Sequence, residues 1–162
     1  MYVTWFAFKA DAEVFFVSGV LEDTNGPPPP PPDSACNESG RGSRDITGTE
    51  EDDTIIGTSG ANRIRGLGGD DRIHGCGGTD SIMGGSGNDG IAGGSGSNAL
   101  RGDNGNDNLV GGASSDVIEG GLGDDVLFGG SGRDVFRCGD GVDMIVDFNP
   151  AVDAKSSDCE DF

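Results

Sequence analysis

The chain has 162 residues, with 29 Asp and Glu against 10 Lys and Arg, for a formal net charge of −19. Leu, Ile, Val and Phe make up about a fifth of it, close to the border at which chains stay disordered, so a conventional apolar core is excluded. The length suits one domain with a short appendage, and the acidity disfavours nucleic acid and points to cations as partners.

Residues 1–25 form the first segment. Tyr2 to Phe8 and Val14 to Leu21 are rich in Val, Phe, Tyr and Trp and flank the polar run Lys9-Ala10-Asp11-Ala12-Glu13. This predicts a β-hairpin, or the remnant of an upstream domain. The polar run keeps every apolar stretch short of a signal-peptide core or a transmembrane segment. An export signal is therefore expected upstream of this segment or away from the N-terminus. Residues 26–43 read as a Pro-rich linker. Within it, Pro27 to Pro32 predict a stiff polyproline II spacer of about 19 Å.

From residue 44 to residue 148 a nine-residue period takes over. Ile46, Ile55, Ile64, Ile73, Ile82, Ile91, Leu100, Leu109, Ile118, Leu127, Phe136 and Ile145 stand at one unbroken interval. Two places before each is an Asp or Asn, Arg44 excepted. Seven places before, Gly recurs without a break from Gly48 to Gly129. The fullest unit, Gly84-Gly85-Ser86-Gly87-Asn88-Asp89-Gly90-Ile91-Ala92, reads GGxGxDxUx with U apolar. Its places are numbered here as positions 1 to 9.

On these residues the chain resembles the RTX, or hemolysin-type calcium-binding, repeat family over roughly two-thirds of its length. The resemblance implies an all-β fold, a right-handed parallel β-roll. In that β-solenoid the first six residues of a unit turn and the last three form a short strand. Two units complete a coil, and about six coils stack roughly 4.8 Å apart. Ile145-Val146-Asp147-Phe148 is expected to prolong the last strand, Pro150 to stop it, and residues 149–162 to fold back as a C-terminal cap.

Alternate units sort the turns into two columns. One carries Asp53, Asp71, Asp89, Asp107, Asp125 and Asp143, the first five each preceded by Asp or Asn; the other carries Asn62, Asp80, Asn98, Asp116 and Asp134. Sharp Gly turns aim carbonyls inward, and stacked carboxylates complete the hard-oxygen set that Ca2+ takes. Without a cation, carboxylates about 5 Å apart repel by roughly 3 kcal/mol per pair, so binding and folding are expected to be one event. The expected ligands are the six Asp of the first column, Asp80, Asp116 and Asp134 of the second, and the carbonyls of Gly69, Gly87, Gly105 and Gly123. This implies about four or five Ca2+ ions in the all-Asp column, where Glu51 replaces a turn Gly, and about one to three in the other. A metal-free Gly-Asp solenoid would leave the stacked acids as an unrelieved cost.

Other motifs carry less. Gly85-x-Gly87-x-x-Gly90 imitates a dinucleotide fingerprint but falls inside the repeat register, with no helix to follow. His74 stands alone at an outward strand position, where a surface role is expected, and no HExxH or GxSxG occurs. Arg63, Arg65, Arg101 and Arg137 mark one outer face as solvated and paired with local acids. Ile56, Val110, Val126, Phe128, Met144 and Val146 make the other apolar, a docking place for the hairpin or a partner. Four Cys allow three pairings. The stretch Phe136-Arg137-Cys138-Gly139 with Asp158-Cys159-Glu160 looks like the C-terminal closure of some exported RTX-repeat proteins, and that resemblance favours Cys138–Cys159.

The implied function is a non-catalytic, extracellular calcium-binding module, since the exterior supplies the calcium that weak sites need. The alternative is the C-terminal calcium-binding part of a secreted metalloprotease or lipase; residues 1–45 offer no catalytic group, so any activity is then expected from an upstream domain absent here. A pore-forming toxin is disfavoured by the lack of a membrane-active segment. Any protein or cell-surface partner is unspecified by the sequence.

Overall fold

An apolar position 8 between two outward neighbours is a strand with one inward residue, and every unit runs the same way along the chain. Parallel stacking of alternate units buries each position-8 residue without a hairpin. The protein is described by a computed structural model over residue 36 and residues 44–159; the expected N-terminal hairpin and proline spacer lie outside the described residues. Thirteen strands form there, numbered in chain order. One sheet holds β1 (Asp45–Thr47), β3 (Arg63–Gly68), β5 (Ser81–Ser86), β7 (Ala99–Asn104), β9 (Val117–Leu122), β11 (Val135–Asp140) and β13 (Ala154–Lys155). The other holds β2 (Thr54–Thr58), β4 (Arg72–Cys76), β6 (Gly90–Ser95), β8 (Asn108–Ala113), β10 (Val126–Ser131) and β12 (Met144–Ile145).

Every pairing is parallel and joins like to like. Ile64 lies beside Ile82, Ile82 beside Leu100 and Leu100 beside Ile118, while Ile73, Ile91 and Leu109 do the same in the even sheet. Among the described residues there is no helix, and the chain is a parallel β-roll of about six coils. The core is the single file of position-8 side chains between the sheets, from Ile55 to Phe136, with Ile46, Ile145 and Phe148 closing its ends. At roughly 1.5–3 kcal/mol for each buried residue, such a file is a thin core for so much ordered backbone.

The strands are longer than the three residues expected. From β5 to β11 they run from position 7 to position 3 of the next unit, skipping the position-1 residue in the pairing, as Gly66 and Gly84 are skipped between β3 and β5. In a parallel stack each peptide lies over its equivalent, so pairing continues until the position-4 residue turns the chain. The turn proper is positions 4 to 6.

The last coil closes differently from the expected strand extension, because β12 stops at Ile145. Asp147 instead turns back, its two carboxylate oxygens accepting the Gly129 and Gly130 N–H groups at 2.9 and 2.7 Å. The chain then returns as β13 beside β11. Asp153 accepts the Asp134 N–H at 3.0 Å and Asp158 accepts the Gly139 N–H at 3.1 Å, so the tail supplies acceptors that a further coil would have supplied. Phe148 meets Phe136 edge-on at 6.2 Å, and Cys138–Cys159 fastens the cap.

The outer faces also sort. Arg101 pairs with Asp103 at 2.5 Å and lies 3.7 Å from Glu119, which Arg137 also approaches at 4.0 Å. On the even sheet Met144 and Val146 are exposed, whereas Val110 is buried. The expectation of a surface His74 is corrected: it is 2% exposed. The second disulfide, Cys36–Cys76, stands beside its ring.

Candidate metal centre

Glycine has two different tasks in these turns. At position 1 the side chain must be absent, because a Cβ on Gly66, Gly84, Gly102 or Gly120 would collide with Oδ2 of Asp71, Asp89, Asp107 or Asp125. At position 4 the backbone is left-handed, with φ of +91°, +125°, +131° and +119° at Gly69, Gly87, Gly105 and Gly123. These four carbonyls point along the stack, each against the position-4 Cα of the next coil.

The position-6 side chains lie inside these turns. Asp71, Asp80, Asp89, Asp107, Asp116, Asp125, Asp134 and Asp143 are all buried, as are Asn62 and Asn98. One oxygen of each has a fixed task. From Asp71 to Asp143 and from Asp80 to Asp134, Oδ1 accepts the N–H of the position-6 residue one coil earlier, at 2.7–3.0 Å. The second oxygen has none. Oδ2 of Asp71, Asp80, Asp89, Asp107, Asp116, Asp125 and Asp143 is buried without a hydrogen-bond partner. Orphaned carboxylate oxygens are costly in a folded interior.

Asn98 shows what faces that second atom. Its Oδ1 accepts the Asp80 N–H at 3.0 Å, and its Nδ2 donates to the Gly96 carbonyl, the position-4 carbonyl of its own unit, at 3.1 Å. The repeat puts an Asp oxygen in the place of that nitrogen. A carboxylate there has no N–H to offer such a carbonyl, and either a proton or a hard cation would serve both oxygens.

The electrostatics agree. Burial, the largest cause, raises these carboxyls: Asp80, Asp89 and Asp125 to about 6, Asp116 to about 7 and Asp107 to about 8. The N–H that each accepts pulls the other way, and neighbouring carboxylates add to the rise at Asp89, Asp107, Asp116 and Asp125. Asp71 and Asp134 are raised for the same leading reason. Neutral at physiological pH or paired with a cation are the two ways to hold such a group.

The first coil stands apart. Oδ2 of Asp53 already accepts the Thr49 N–H at 2.6 Å and the Thr49 hydroxyl at 2.9 Å; Asn62 Oδ1 receives the same pair from Thr58 at 2.8 and 3.2 Å. Thr at position 2 thus does for the first coil what a cation would do further along, and Asp53 lacks the orphaned oxygen of its column.

The columns differ in one further respect that sequence reading missed. In the all-Asp column the position-5 residues Asp52, Asp70, Asn88, Asn106 and Asp124 accept the N–H of the next coil's position 5 at 2.7–2.9 Å. This outer ladder runs opposite in sense to the position-6 ladder. In the other column Ser115 alone does this among the described residues, for Arg133. The signal was the unbroken Asx at position 5, and its physical use is backbone satisfaction.

A family model for the RTX calcium-binding nonapeptide repeat matches residues 47–82, 70–100, 77–109, 101–136 and 110–145, covering the roll from the first coil to the last. No curated protein and no solved structure gives a significant match.

Proposed function

This chain belongs to the RTX calcium-binding nonapeptide repeat family, and on that premise we propose that it is an extracellular module whose roll folds as calcium binds. Its role is structural, holding a rigid, anionic rod, and is not catalytic. The observation that carries the reading is the file of buried Oδ2 atoms without a hydrogen-bond partner, those of Asp71, Asp89, Asp107 and Asp125 in the all-Asp column among them. Asp71, Asp89, Asp107, Asp125 and Asp143, with the carbonyls of Gly69, Gly87, Gly105 and Gly123, would hold about four or five ions, Asp53 contributing least. Asp80, Asp116 and Asp134 would hold about one to three more. A bound cation supplies positive charge to oxygens that otherwise repel. The residues themselves set the spacing, exclude water and tie each coil to the last.

The extracellular assignment rests on two supports. Sites of this kind suit the calcium level outside cells, and two disulfides suit an oxidising compartment. Circular dichroism tests the proposal. The chain should lose most β-structure in excess chelator and regain it on calcium titration, with magnesium a poor substitute because it demands a tighter octahedral shell. A β spectrum unchanged by chelator would overturn it.

A further inference from the structure

We propose that reduction of the Cys36–Cys76 disulfide opens a two-thiolate, one-imidazole site, with His74, for a borderline-soft divalent cation of the zinc class. This site is separate in donor chemistry from the aspartate columns. Cys76 stands at position 2, where the stack above it places Gly94, Gly112 and Gly130, and it holds a left-handed φ of +77° that disfavours any residue with a Cβ. His74 lies two residues earlier on β4 and is buried, with Cys76 buried at its side.

The distances carry the argument. Sγ of Cys36, Sγ of Cys76 and Nδ1 of His74 all lie within 4.8 Å of one another. Nδ1 is 3.5 Å from the Cys36 sulfur and 3.7 Å from the Cys76 sulfur. A tetrahedral zinc with Zn–S of about 2.3 Å and Zn–N of about 2.0–2.1 Å has an N···S edge of about 3.6 Å. Two of the three edges of a ligand face therefore already have metal-binding length. The third, S···S, is about 3.8 Å in the same tetrahedron, close to the van der Waals separation of two sulfurs once their bond is gone. Cys36 belongs to no strand, so its movement breaks no ladder. Water completes the fourth position.

The chemistry balances with a dithiol as reductant. The S–S bond breaks, two electrons and two protons pass to the two Sγ atoms, and the dithiol leaves as its own disulfide. Metal binding then releases both thiol protons to solvent. Thiolate and imidazole select zinc-like ions and reject calcium, whereas the aspartate turns do the reverse. One chain thus sorts two cations. Residue 36 stays fastened to β4 in both redox states, by a covalent bond outside a reducing compartment and by a metal inside one.

Cobalt(II) is the probe, because thiolate-to-cobalt charge transfer reports sulfur ligation that aspartates cannot imitate. The full chain is reduced with a dithiol in saturating calcium, freed of reductant under anaerobic conditions and titrated with cobalt. One ion per chain should bind with charge-transfer and tetrahedral visible bands, absent from the oxidised protein. Cys36→Ser should lower the affinity at least tenfold and weaken the band, and His74→Gln should lower it as well. Cys159→Ser should leave it unchanged. In parallel, zinc should protect Cys36 and Cys76 from alkylation while Cys138 and Cys159 react. A band absent from the reduced chain, a band and affinity undiminished in Cys36→Ser, or protection centred on Cys138 and Cys159 would each overturn the proposal. Cys36 lies outside every strand, so the Cys36→Ser result stands even if His74→Gln disturbs the sheet.

Discussion

Replacing Asp107 by Asn should separate the two tasks of one carboxylate. Asp107 is 1% exposed; its Oδ1 accepts the Asp89 N–H at 2.7 Å, and its Oδ2 has no partner. Asn keeps the acceptor, and its Nδ2 would donate to the Gly105 carbonyl as Asn98 does to Gly96. In chelator, Asp107→Asn should therefore be more structured than the parent, since a buried oxygen that burial pushes up to about 8 is gone. In saturating calcium it should be less stable. A lost ion removes about 2.7 kcal/mol when calcium exceeds its dissociation constant a hundredfold, and Asp107 borders two gaps. Asp107→Ala should be worse in both conditions, because the Asp89 N–H then loses its acceptor at a further cost of about 1–3 kcal/mol. Asn98→Ala is the control: it loses a ladder bond without a carboxylate, so its calcium midpoint should move less. Urea melts with and without chelator, and calorimetric ion counts, measure all four proteins. Equal midpoint shifts for Asp107→Ala and Asn98→Ala, or an Asn variant as unstable in chelator as the Ala variant, would refute the reasoning.

Acid should partly replace calcium. The folded values of about 6 to 8 at Asp80, Asp89, Asp107, Asp116 and Asp125 lie above the ordinary carboxylate value. Their protonation therefore stabilises the roll fully below about pH 4, and that contribution is lost as pH rises through 6 to 8. In chelator, dichroism should show more β-structure at the acid end than at the alkaline end, and a flat or inverted profile would contradict the assignment. Breaking Cys138–Cys159, a bond spanning 21 residues, should cost the cap about 3 kcal/mol. Hydrogen exchange should then rise first in β11 to β13 and calcium affinity fall at the Asp125/Asp143 gap, with β5 to β8 unaffected; uniform loosening would count against a local closure.

The nine-residue period made most of the architecture legible before any coordinates. Because like stacks on like, the interval between Ile64, Ile82 and Leu100 dictates sheet membership, register and core at once. What was hidden depends on atoms smaller than the pattern. A binary pattern marks position 8 as buried but does not say how far pairing continues beyond it, so the strands were read too short. Thr49 and Thr58 look like imperfect glycines in sequence; only their N–H and hydroxyl directions show that they close the first coil. Asp153 escapes the register because it accepts from a residue nineteen places earlier, one more than the repeat allows. His74 alternates outward as the pattern says, yet is buried, and the sulfur beside it comes from Cys36, far from the repeat.

The division of labour within each aspartate predicts that such a roll folds as a column and not coil by coil. Oδ1 secures a backbone N–H of the preceding coil, so a coil without its successor leaves buried donors unsatisfied. Oδ2 is left without a hydrogen-bond partner, and the carbonyl that would share a cation with it belongs to a turn whose left-handed backbone is held by that same stack. Each coil therefore supplies half of its neighbour's hydrogen bonding and half of its neighbour's ion site, the nearest-neighbour coupling of a one-dimensional solenoid. Ends break that chain of exchange. The first coil ends it by turning to Thr49 and Thr58, and the last by recruiting Asp147, Asp153 and Asp158 under a disulfide. Between these two closures no coil is complete alone, so on the proposed reading calcium in one gap should raise the affinity of the next, and a calorimetric titration that fits independent sites would contradict it.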